Sequence, residues 1–193
     1  CAYQDAVAYA RERRQGRAVG APPGTSSPII EHPDVRRMLL RMKALVEAMR
    51  ALVYAQAEAL DHARNHPDPD LRQFKQFEAE LLTPVVKAWC TDMGIEVTSL
   101  AIQVYGGMGY IEESGVPQHF RDARITTIYE GTNGIQAIDL IGRKLPLAEG
   151  SVVTEFLSGI AMLDPALIRA GAEFSTIHAN LAEALTTLAE TTS

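Results

Sequence analysis

Apolar side chains recur every three or four residues along most of the chain, which is the spacing that places them on one face of an α-helix. The pattern is sustained longest after Pro33, where it is formed by Val35, Met38, Leu39, Met42, Leu45, Val46, Met49, Leu52 and Val53. A shorter helical pattern occupies residues 2–15, and residues 16–30 between the two are rich in Gly, Pro and Ser. We therefore predict two helices separated by a loop, with the second helix ending at the prolines of residues 66–70.

A third long helix is predicted from about Asp70 to the glycine cluster at residues 106–109. Pro84 falls inside this stretch and should kink or interrupt it, because proline lacks the N–H that helical hydrogen bonds require. Shorter helical stretches are predicted after the glycine cluster: one that opens at Pro117, one from Thr132 or Asn133 to about Lys144, and one over roughly residues 151–192.

These elements predict an all-α protein, because alternating β-branched runs hardly occur outside residues 124–129. The helices near 33–65 and 70–105 should be antiparallel, since the connection between them is too short for a parallel return. The expected architecture is an up-and-down bundle of the four-helix type over residues 1–145, with residues 146–193 as a C-terminal helical extension.

Composition excludes several classes of protein. Hydrophobic residues make up 47% of the 193 residues, enough to build a core without disulfides or metal. The formal net charge of −6, without a clustered basic face, argues against a nucleic-acid partner. No apolar run approaches the ~20 residues that span a bilayer, so we expect no membrane span. The two cysteines, Cys1 and Cys90, are far apart in sequence, which favours reduced thiols and a cytoplasmic location.

A helix bundle can hold a di-iron centre, which requires Glu-x-x-His on two of its helices. The chain has no Glu-x-x-His, and the nearest candidate is one helical face with Glu58, His62 and His66. Exposed residues at a helix end explain that face better, so no metal site is predicted. Cys90 follows Trp89 in an apolar helical run, which indicates a packed thiol rather than a nucleophile.

Two segments differ from ordinary bundle sequence, and the one around Glu130 has the clearer chemistry. Apolar residues lead to Tyr129, and Glu130 and Gly131 then precede a capping Thr132 and a new helix. Glu130 should therefore lie in a turn at a helix N-terminus, where backbone N–H groups converge and can polarise a carbonyl. A carboxylate there, with Tyr129 and Ile128 as walls, suits proton abstraction α to a carbonyl. A glutamate that merely favours the helix dipole fits the same pattern, and the residues alone leave both interpretations open.

Both segments resemble a known family. Residues 129–136 read YEGTNGIQ, follow RDAR at residues 121–124, and closely resemble the C-terminal signature of the acyl-CoA dehydrogenases. Residues 103–110, QVYGGMGY, resemble a second signature of that family in the expected order and spacing. The end of the first helix, YARERRQ at residues 9–15, is similar to the arginine-bearing helix end of the same domain. Together these motifs cover about residues 2–145.

The resemblance implies roles for individual residues. Glu130 is similar to the base that removes the α-proton of the acyl thioester, its backbone N–H is similar to a donor to the thioester carbonyl, and Tyr129 and Gly131 flank it in the substrate site. FAD is the implied cofactor, and the positions that match its contacts are Arg13, Gln15, Gln103, Gly106, Gly107, Thr132 and Gly134. Some of these contacts reach the FAD of a neighbouring subunit in the family, which implies a homodimer or homotetramer.

The chain also departs from the family pattern. Gly134 stands where the family often has a polar side chain, so a side-chain contact to FAD is missing there. Gln15 is followed by Gly16 and Arg17 rather than by Phe-Gly, and an inserted Pro/Ser-rich loop comes next. The tail beyond about Leu145 is longer than in compact members. These traits resemble a bacterial subgroup that includes enzymes acting on 3-(methylthio)propanoyl-CoA.

The implied reaction is the α,β-dehydrogenation of an acyl-CoA to the trans-2-enoyl-CoA, as in the β-oxidation of fatty acids, with an electron-transferring flavoprotein as acceptor. Family members place a helical domain and a β-domain before this region. The chain begins with Cys1 and contains neither domain, so we expect a fragment that alone neither binds FAD tightly nor turns over. Two alternatives stay open: an acyl-CoA oxidase-like flavoprotein, which passes electrons to oxygen, and a non-catalytic helical assembly module.

Overall fold

The computed structural model describes residues 1–192, and most of them are helical. The α-helices in this range are α1 (Ala2–Glu12), α2 (Pro33–Asn65), α3 (Pro69–Tyr105), α4 (Val116–Thr126), α5 (Asn133–Asp139), α6 (Ser151–Ala161), α7 (Asp164–Ala170) and α8 (Ser175–Thr192). Leu140–Lys144 continues α5 as a π-helical turn. The predicted all-α class is confirmed, and the β pairing within residues 1–192 is limited to one isolated bridge between Arg14 and Pro28.

Two compact units make up the chain. The first contains Cys1–Tyr54 and Val86–Gly134, and the second contains Ala55–Val85 together with the chain from Ile135 onward. Helices α2 and α3 therefore contribute residues to both units. The predicted boundary at residue 145 is a different division of the chain, because it followed the family resemblance rather than the packing.

The core of the first unit brings together α1, the first part of α2 and the last part of α3. Its completely buried members include Ala6, Ala10, Met42 and Ala101. Ala6 and Ala10 are four residues apart and share one face of α1, where their small size lets the helix lie close to its neighbours. Burial of a side chain as large as Met42 contributes about 1.5–3 kcal/mol to stability.

Two side-chain contacts show that α2 and α3 are antiparallel. In the first unit, the Arg41 guanidinium donates to the Glu96 carboxylate. In the second unit, Gln56 Nε2 donates to Thr83 Oγ1 at 2.8 Å. Residue numbers rise along α2 while they fall along α3, as the short connection between the two helices predicted.

Of the two outcomes predicted for Pro84, a kink or a break, the break is wrong, because helix α3 is continuous through this residue. A single helix runs from Pro69 to Tyr105 with Pro84 inside it. The proline ring is among the most completely buried side chains of the chain. Its burial offsets the hydrogen bond that its missing N–H cannot donate, which is why the helix tolerates it.

The core of the second unit joins the tail to the first part of α3. Val152 and Val153 of α6 are buried with Leu81 of α3, and Phe156 packs against them. Helices α7 and α8 contribute no buried residue, and Ile177 of α8 remains 54% exposed. The tail is helical as predicted, but α6 is the part of it with buried side chains.

One segment of the tail, Leu147–Ala170, has the length and composition of a membrane span, with a mean hydropathy of 1.4 over its most apolar window. The expectation that no apolar stretch approaches that length overlooked it. The structure breaks the segment into α6 and α7, with positive φ angles at Ala148 and Glu149 before them. One such segment is weak evidence for a membrane span, because an unbroken helix of about 20 residues is needed to cross a bilayer.

Candidate active site

Glu130 lies in the turn that joins α4 to α5, as predicted. At the end of α4, the Tyr129 N–H donates to the Ile125 carbonyl at 3.1 Å. At the start of α5, the Asn133 N–H donates back across the turn to the Thr127 carbonyl at 3.2 Å. These two hydrogen bonds hold the two ends of the turn that contains Glu130.

The backbone of this turn is strained at Glu130. Its φ angle is 53°, and that of Gly131 is 89°. Glycine adopts a positive φ readily, whereas a glutamate there brings its Cβ close to the backbone. A non-glycine residue in this region costs on the order of 1–3 kcal/mol, and it persists only where surrounding contacts over-determine the conformation.

Polar side chains of α3 supply those contacts. Lys87 Nζ donates to the Gly131 carbonyl and to Asn133 Oδ1, both at 2.8 Å. Asn133 Nδ2 donates to Asp92 Oδ1 at 2.8 Å and lies 3.1 Å from Thr91 Oγ1. We refer to Lys87, Thr91, Asp92 and Asn133 as the anchor cluster, because their hydrogen bonds connect the turn to α3.

Sequence reasoning missed the anchor cluster and assigned Asn133 only a helix-capping role. A signal for it was present in the spacing of Lys87 and Thr91, which are four residues apart and so share one face of a helix. That face interrupts an otherwise apolar stretch that contains Val85, Val86 and Trp89. A lysine at such a position usually has a specific polar partner, although the sequence does not show which one.

The side chains predicted to wall the site are open to solvent. Tyr129 is 50% exposed and Ile128 is 47% exposed. Glu130 and Thr132 are also exposed, whereas Gly131 is half-buried. These residues therefore form one side of a site rather than a closed pocket.

The glycine cluster at the end of α3 contains two kinds of glycine. Gly109 is buried, and a Cβ at this position would lie 2.3 Å from the Ile102 carbonyl oxygen, so the fold itself requires glycine there. Gly106 has a φ of 60°, which also favours glycine. A Cβ at Gly107 would meet no atom within 4 Å. Nothing described in this chain explains Gly107, and the space in front of its backbone is open.

The predicted helix over residues 2–15 ends early, at Glu12. Arg13 is already extended, with φ −67° and ψ 119°, and its carbonyl accepts the Ile29 N–H at 2.8 Å. The Gln15 N–H donates to the Ser27 carbonyl at 3.0 Å. This short pairing leaves the side chains of Arg13 and Gln15 exposed.

The ends of α1 and α3, which carry predicted FAD contacts, are held side by side. Tyr9 and Tyr105 stack with ring centroids 4.0 Å apart. The Tyr105 hydroxyl donates to the Asp5 carbonyl at 3.2 Å, and the Asp5 carboxylate lies 2.8 Å from His119 Nε2 of α4. Burial, with the Asp5 charge as a second cause, raises the pKa of Tyr105.

The predicted site residues thus occupy two places in the first unit, each with its own anchoring contacts. Residues 129–134 lie in the anchored turn, and the remaining predicted residues, at the ends of α1 and α3, are Arg13, Gln15, Gln103, Gly106 and Gly107. Within residues 1–192, no three His, Cys, Asp or Glu side chains converge as metal ligands would.

Comparison with known proteins bears on this arrangement. Residues 1–145 match the sequence model of the acyl-CoA dehydrogenase C-terminal domain. The chain belongs to the acyl-CoA dehydrogenase family. The 3-methylmercaptopropionyl-CoA dehydrogenase of Ruegeria pomeroyi is 50% identical over 183 residues, which are 95% of this chain and 31% of that protein.

Solved structures agree with the family. Butyryl-CoA dehydrogenase from Megasphaera elsdenii aligns with a TM-score of 0.55 at 33% identity, over 73% of this chain and 31% of that one. The apo form of Bd2924 aligns with a TM-score of 0.70 over 95% of this chain and 36% of that one; at 23% identity, this likeness concerns the fold alone. The chain spans roughly a third of the length of these relatives.

The residues of this acyl-CoA dehydrogenase domain that match FAD contacts suit the chemistry of that cofactor. A pyrophosphate is an anion that binds to cations and to exposed backbone N–H groups. Arg13 offers an exposed cation, and Gly106 and Gly107 offer exposed backbone with open space where a Cβ would stand. The exposed Gln103 amide can both donate and accept hydrogen bonds.

Proposed function

We propose that the full-length protein catalyses the FAD-dependent α,β-dehydrogenation of an acyl-CoA thioester to the trans-2-enoyl-CoA, with Glu130 as the base. The observation that carries this proposal is the positive φ of 53° at Glu130 in a turn anchored by Lys87 and Asn133. A backbone held away from its preferred conformation indicates a functional constraint on the side chain it presents. A glutamate that only complements a helix dipole needs no such conformation.

The reaction needs a base at the α-carbon and polarisation of the thioester carbonyl, because the α-hydrogen is only weakly acidic. The Glu130 carboxylate takes the α-proton, and the electron pair of the Cα–H bond forms the Cα=Cβ double bond as hydride leaves the β-carbon. Bound FAD supplies the hydride acceptor. The Glu130 backbone N–H donates to the thioester carbonyl and stabilises the developing enolate, an effect of about 3 kcal/mol for one such donor.

The remaining predicted residues hold the cofactor and imply the assembly. Thr132 and Gly134 follow the base and lie beside the flavin in this proposal. The residues at the ends of α1 and α3 contact the FAD of a neighbouring subunit, so the protein is a homodimer or homotetramer. An electron-transferring flavoprotein then reoxidises the enzyme in the cytoplasm.

The substrate class we propose is a short-chain acyl-CoA. Support comes from two relatives, a 3-methylmercaptopropionyl-CoA dehydrogenase and a butyryl-CoA dehydrogenase. The first of these is the more similar in sequence and covers 95% of this chain.

The test uses the full-length protein loaded with FAD, a panel of acyl-CoA thioesters of different lengths, and an artificial electron acceptor. Glu130→Gln keeps the size of the side chain but cannot accept a proton, so turnover should fall by about 10²–10⁴ or more. Binding of FAD and acyl-CoA should stay within about twofold of wild type. Retention of more than about a tenth of the wild-type rate would show that the base lies elsewhere.

The matched control is Glu113→Gln, at an exposed position after the glycine cluster, and its turnover should be unchanged. Glu112 is a poorer control, because Arg121 donates to both of its carboxylate oxygens at 2.8 and 2.7 Å. Rapid reoxidation of the reduced enzyme by oxygen would identify an oxidase instead. Absence of turnover with every thioester would favour the alternative that the protein is a non-catalytic helical assembly module.

A further inference from the structure

Lys87 is a half-buried cation with two hydrogen-bond acceptors in the strained turn. Its ammonium group donates to the Gly131 carbonyl and to Asn133 Oδ1, each at 2.8 Å. Removing a lysine from water is costly unless its charge is stabilised, and hydrogen bonds from a charged donor are stronger than neutral ones. Both contacts reach across 44 or more residues of sequence, so they connect α3 to the turn rather than neighbours along one helix.

The Gly131 contact acts on the second peptide group after the candidate base, the one that joins Gly131 to Thr132. A carbonyl oxygen fixes the plane of its own peptide group, so a donor at 2.8 Å from Gly131 O fixes the peptide between Gly131 and Thr132. The second contact holds the side chain of Asn133, two residues after Gly131. These two contacts restrain the turn just after Glu130, whose φ of 53° lies outside the negative values that glutamate prefers. Relaxation would swing the Glu130 carboxylate away from the direction in which the turn now presents it.

We propose that Lys87 is a positioning residue for dehydrogenation: its ammonium group holds the Glu130–Gly131 turn in its strained conformation and so aims the Glu130 carboxylate at the substrate α-carbon. This inference rests on the proposed function of Glu130 as the base. A misplacement of about 1 Å at a catalytic group can lower a rate by about 10²-fold, which is the size of effect that a positioning residue controls.

A second lysine of α3 offers a matched comparison. Lys75 is also half-buried, and it pairs with Glu78 at 2.6 Å, three residues further along the same helix. That contact is local to α3 and reaches no turn. The two lysines therefore allow the same substitution to be made on one helix, with and without loss of the contact to Gly131.

The experiment compares Lys87→Met, Lys87→Arg and Lys75→Met in the full-length enzyme loaded with FAD. Two quantities are measured: steady-state kcat and KM for the best acyl-CoA of the panel, and the rate at which the substrate α-hydrogen exchanges with deuterium from D2O. The exchange rate reports on the base directly, because it requires proton removal but no electron acceptor. Bound FAD, from its absorbance, and the thermal unfolding midpoint report on structure.

We expect Lys87→Met to lower kcat and the exchange rate together by about 10–100-fold, with KM changed by less than about threefold. FAD content should be retained. Lys87→Arg, which keeps a cationic donor, should recover at least about tenfold of the loss, and Lys75→Met should behave as wild type. A merely structural role would lower FAD content and stability in step with activity and would not separate kcat from KM.

Three results would overturn the proposal. One is an exchange rate for Lys87→Met within about twofold of wild type. Another is an equal loss with Lys75→Met. The third is loss of FAD or folding in Lys87→Met that Lys87→Arg repairs together with full activity, since that would make Lys87 a structural residue. If wild type itself neither exchanges the α-hydrogen nor turns over any acyl-CoA, the proposed function fails first, which is a distinguishable outcome.

Discussion

Tyr105 stacks on Tyr9 with ring planes only 14° apart, and its hydroxyl donates to the Asp5 carbonyl at 3.2 Å. Stacked aromatic pairs of this kind contribute about 0.5–1.5 kcal/mol beyond the area they bury. Tyr9 lies four residues before Arg13, which follows the end of α1, and Tyr105 lies two residues after Gln103 in α3. The pair therefore sets the position of both segments that we assign to FAD.

The Tyr105 hydroxyl should make the stability of the folded protein depend on pH in the alkaline range. Burial and Asp5 raise the pKa of Tyr105, so the folded state favours the neutral phenol. Its contribution to stability is complete below the unfolded pKa of about 10 and is lost as pH rises through the higher folded value. Tyr105→Phe, which keeps the stack, should cost about 0.5–1.5 kcal/mol at pH 7. Urea unfolding of the full-length proteins should show that this difference shrinks above about pH 10; a constant difference would refute it.

Two glycines of the same cluster should separate stability from cofactor binding. Gly109→Ala places a Cβ 2.3 Å from the Ile102 carbonyl, and should destabilise the full-length protein by about 3 kcal/mol or more in thermal unfolding. Gly107→Ala meets no atom within 4 Å, and should change stability by less than about 0.5 kcal/mol. If Gly107 faces FAD, this second variant should nevertheless retain less FAD after gel filtration. Full retention by Gly107→Ala would count against that assignment.

The strain at Glu130 should be measurable as a trade between stability and activity. Glu130→Gly removes the Cβ that makes a φ of 53° unfavourable, and should raise the free energy of unfolding by about 1 kcal/mol relative to Glu130→Gln. Both variants should be inactive, because neither side chain can accept the α-proton. Equal unfolding midpoints, measured without acyl-CoA, would show that the turn stores no strain.

The tail should contribute to stability through α6 rather than α8. Val152 is 1% exposed in the core of the second unit, and Val152→Ala should destabilise the protein by about 2 kcal/mol through lost burial and the resulting cavity. Ile177→Ala, at a position that is 54% exposed, should change stability by less than about 0.5 kcal/mol. Chemical denaturation of the two variants compares them directly, and a larger effect at Ile177 would reveal a packing partner for α8.

The helices were predictable because their signals are local. The spacing of apolar residues after Pro33 and the prolines after residue 65 determine α2 almost to the residue. The turn at Glu130 was also predictable, since a glycine and a helix cap follow the carboxylate directly. Pro84 shows the limit of this reasoning: local chemistry predicts a kink or a break, and α3 continues without a break around a buried proline.

The anchor cluster could not be predicted in the same way. Lys87 and Gly131 are 44 residues apart, and their contact depends on how α3 lies against the turn. A sequence shows that Lys87 is out of place in an apolar stretch, but the identity of its partner is a property of the tertiary structure. The positive φ of Glu130 is likewise invisible in the sequence, because glutamate carries no preference for it.

The turn at Glu130 contains a strained backbone conformation, and it should open more easily than the helices. Its closure depends on the ammonium of Lys87 and the amide of Asn133, and each of these can exchange its partners for water without disturbing a hydrophobic core. Opening relieves the strain in the backbone of the turn. The free-energy cost of opening is therefore smaller for the turn than for the helices. Residues 127–133 should therefore be a site of sub-global opening, in which amide hydrogens exchange while those of α3 stay protected. A ligand that binds only the closed turn would then stabilise the closed state, and it would slow the amide exchange of these residues in proportion to the affinity of the ligand.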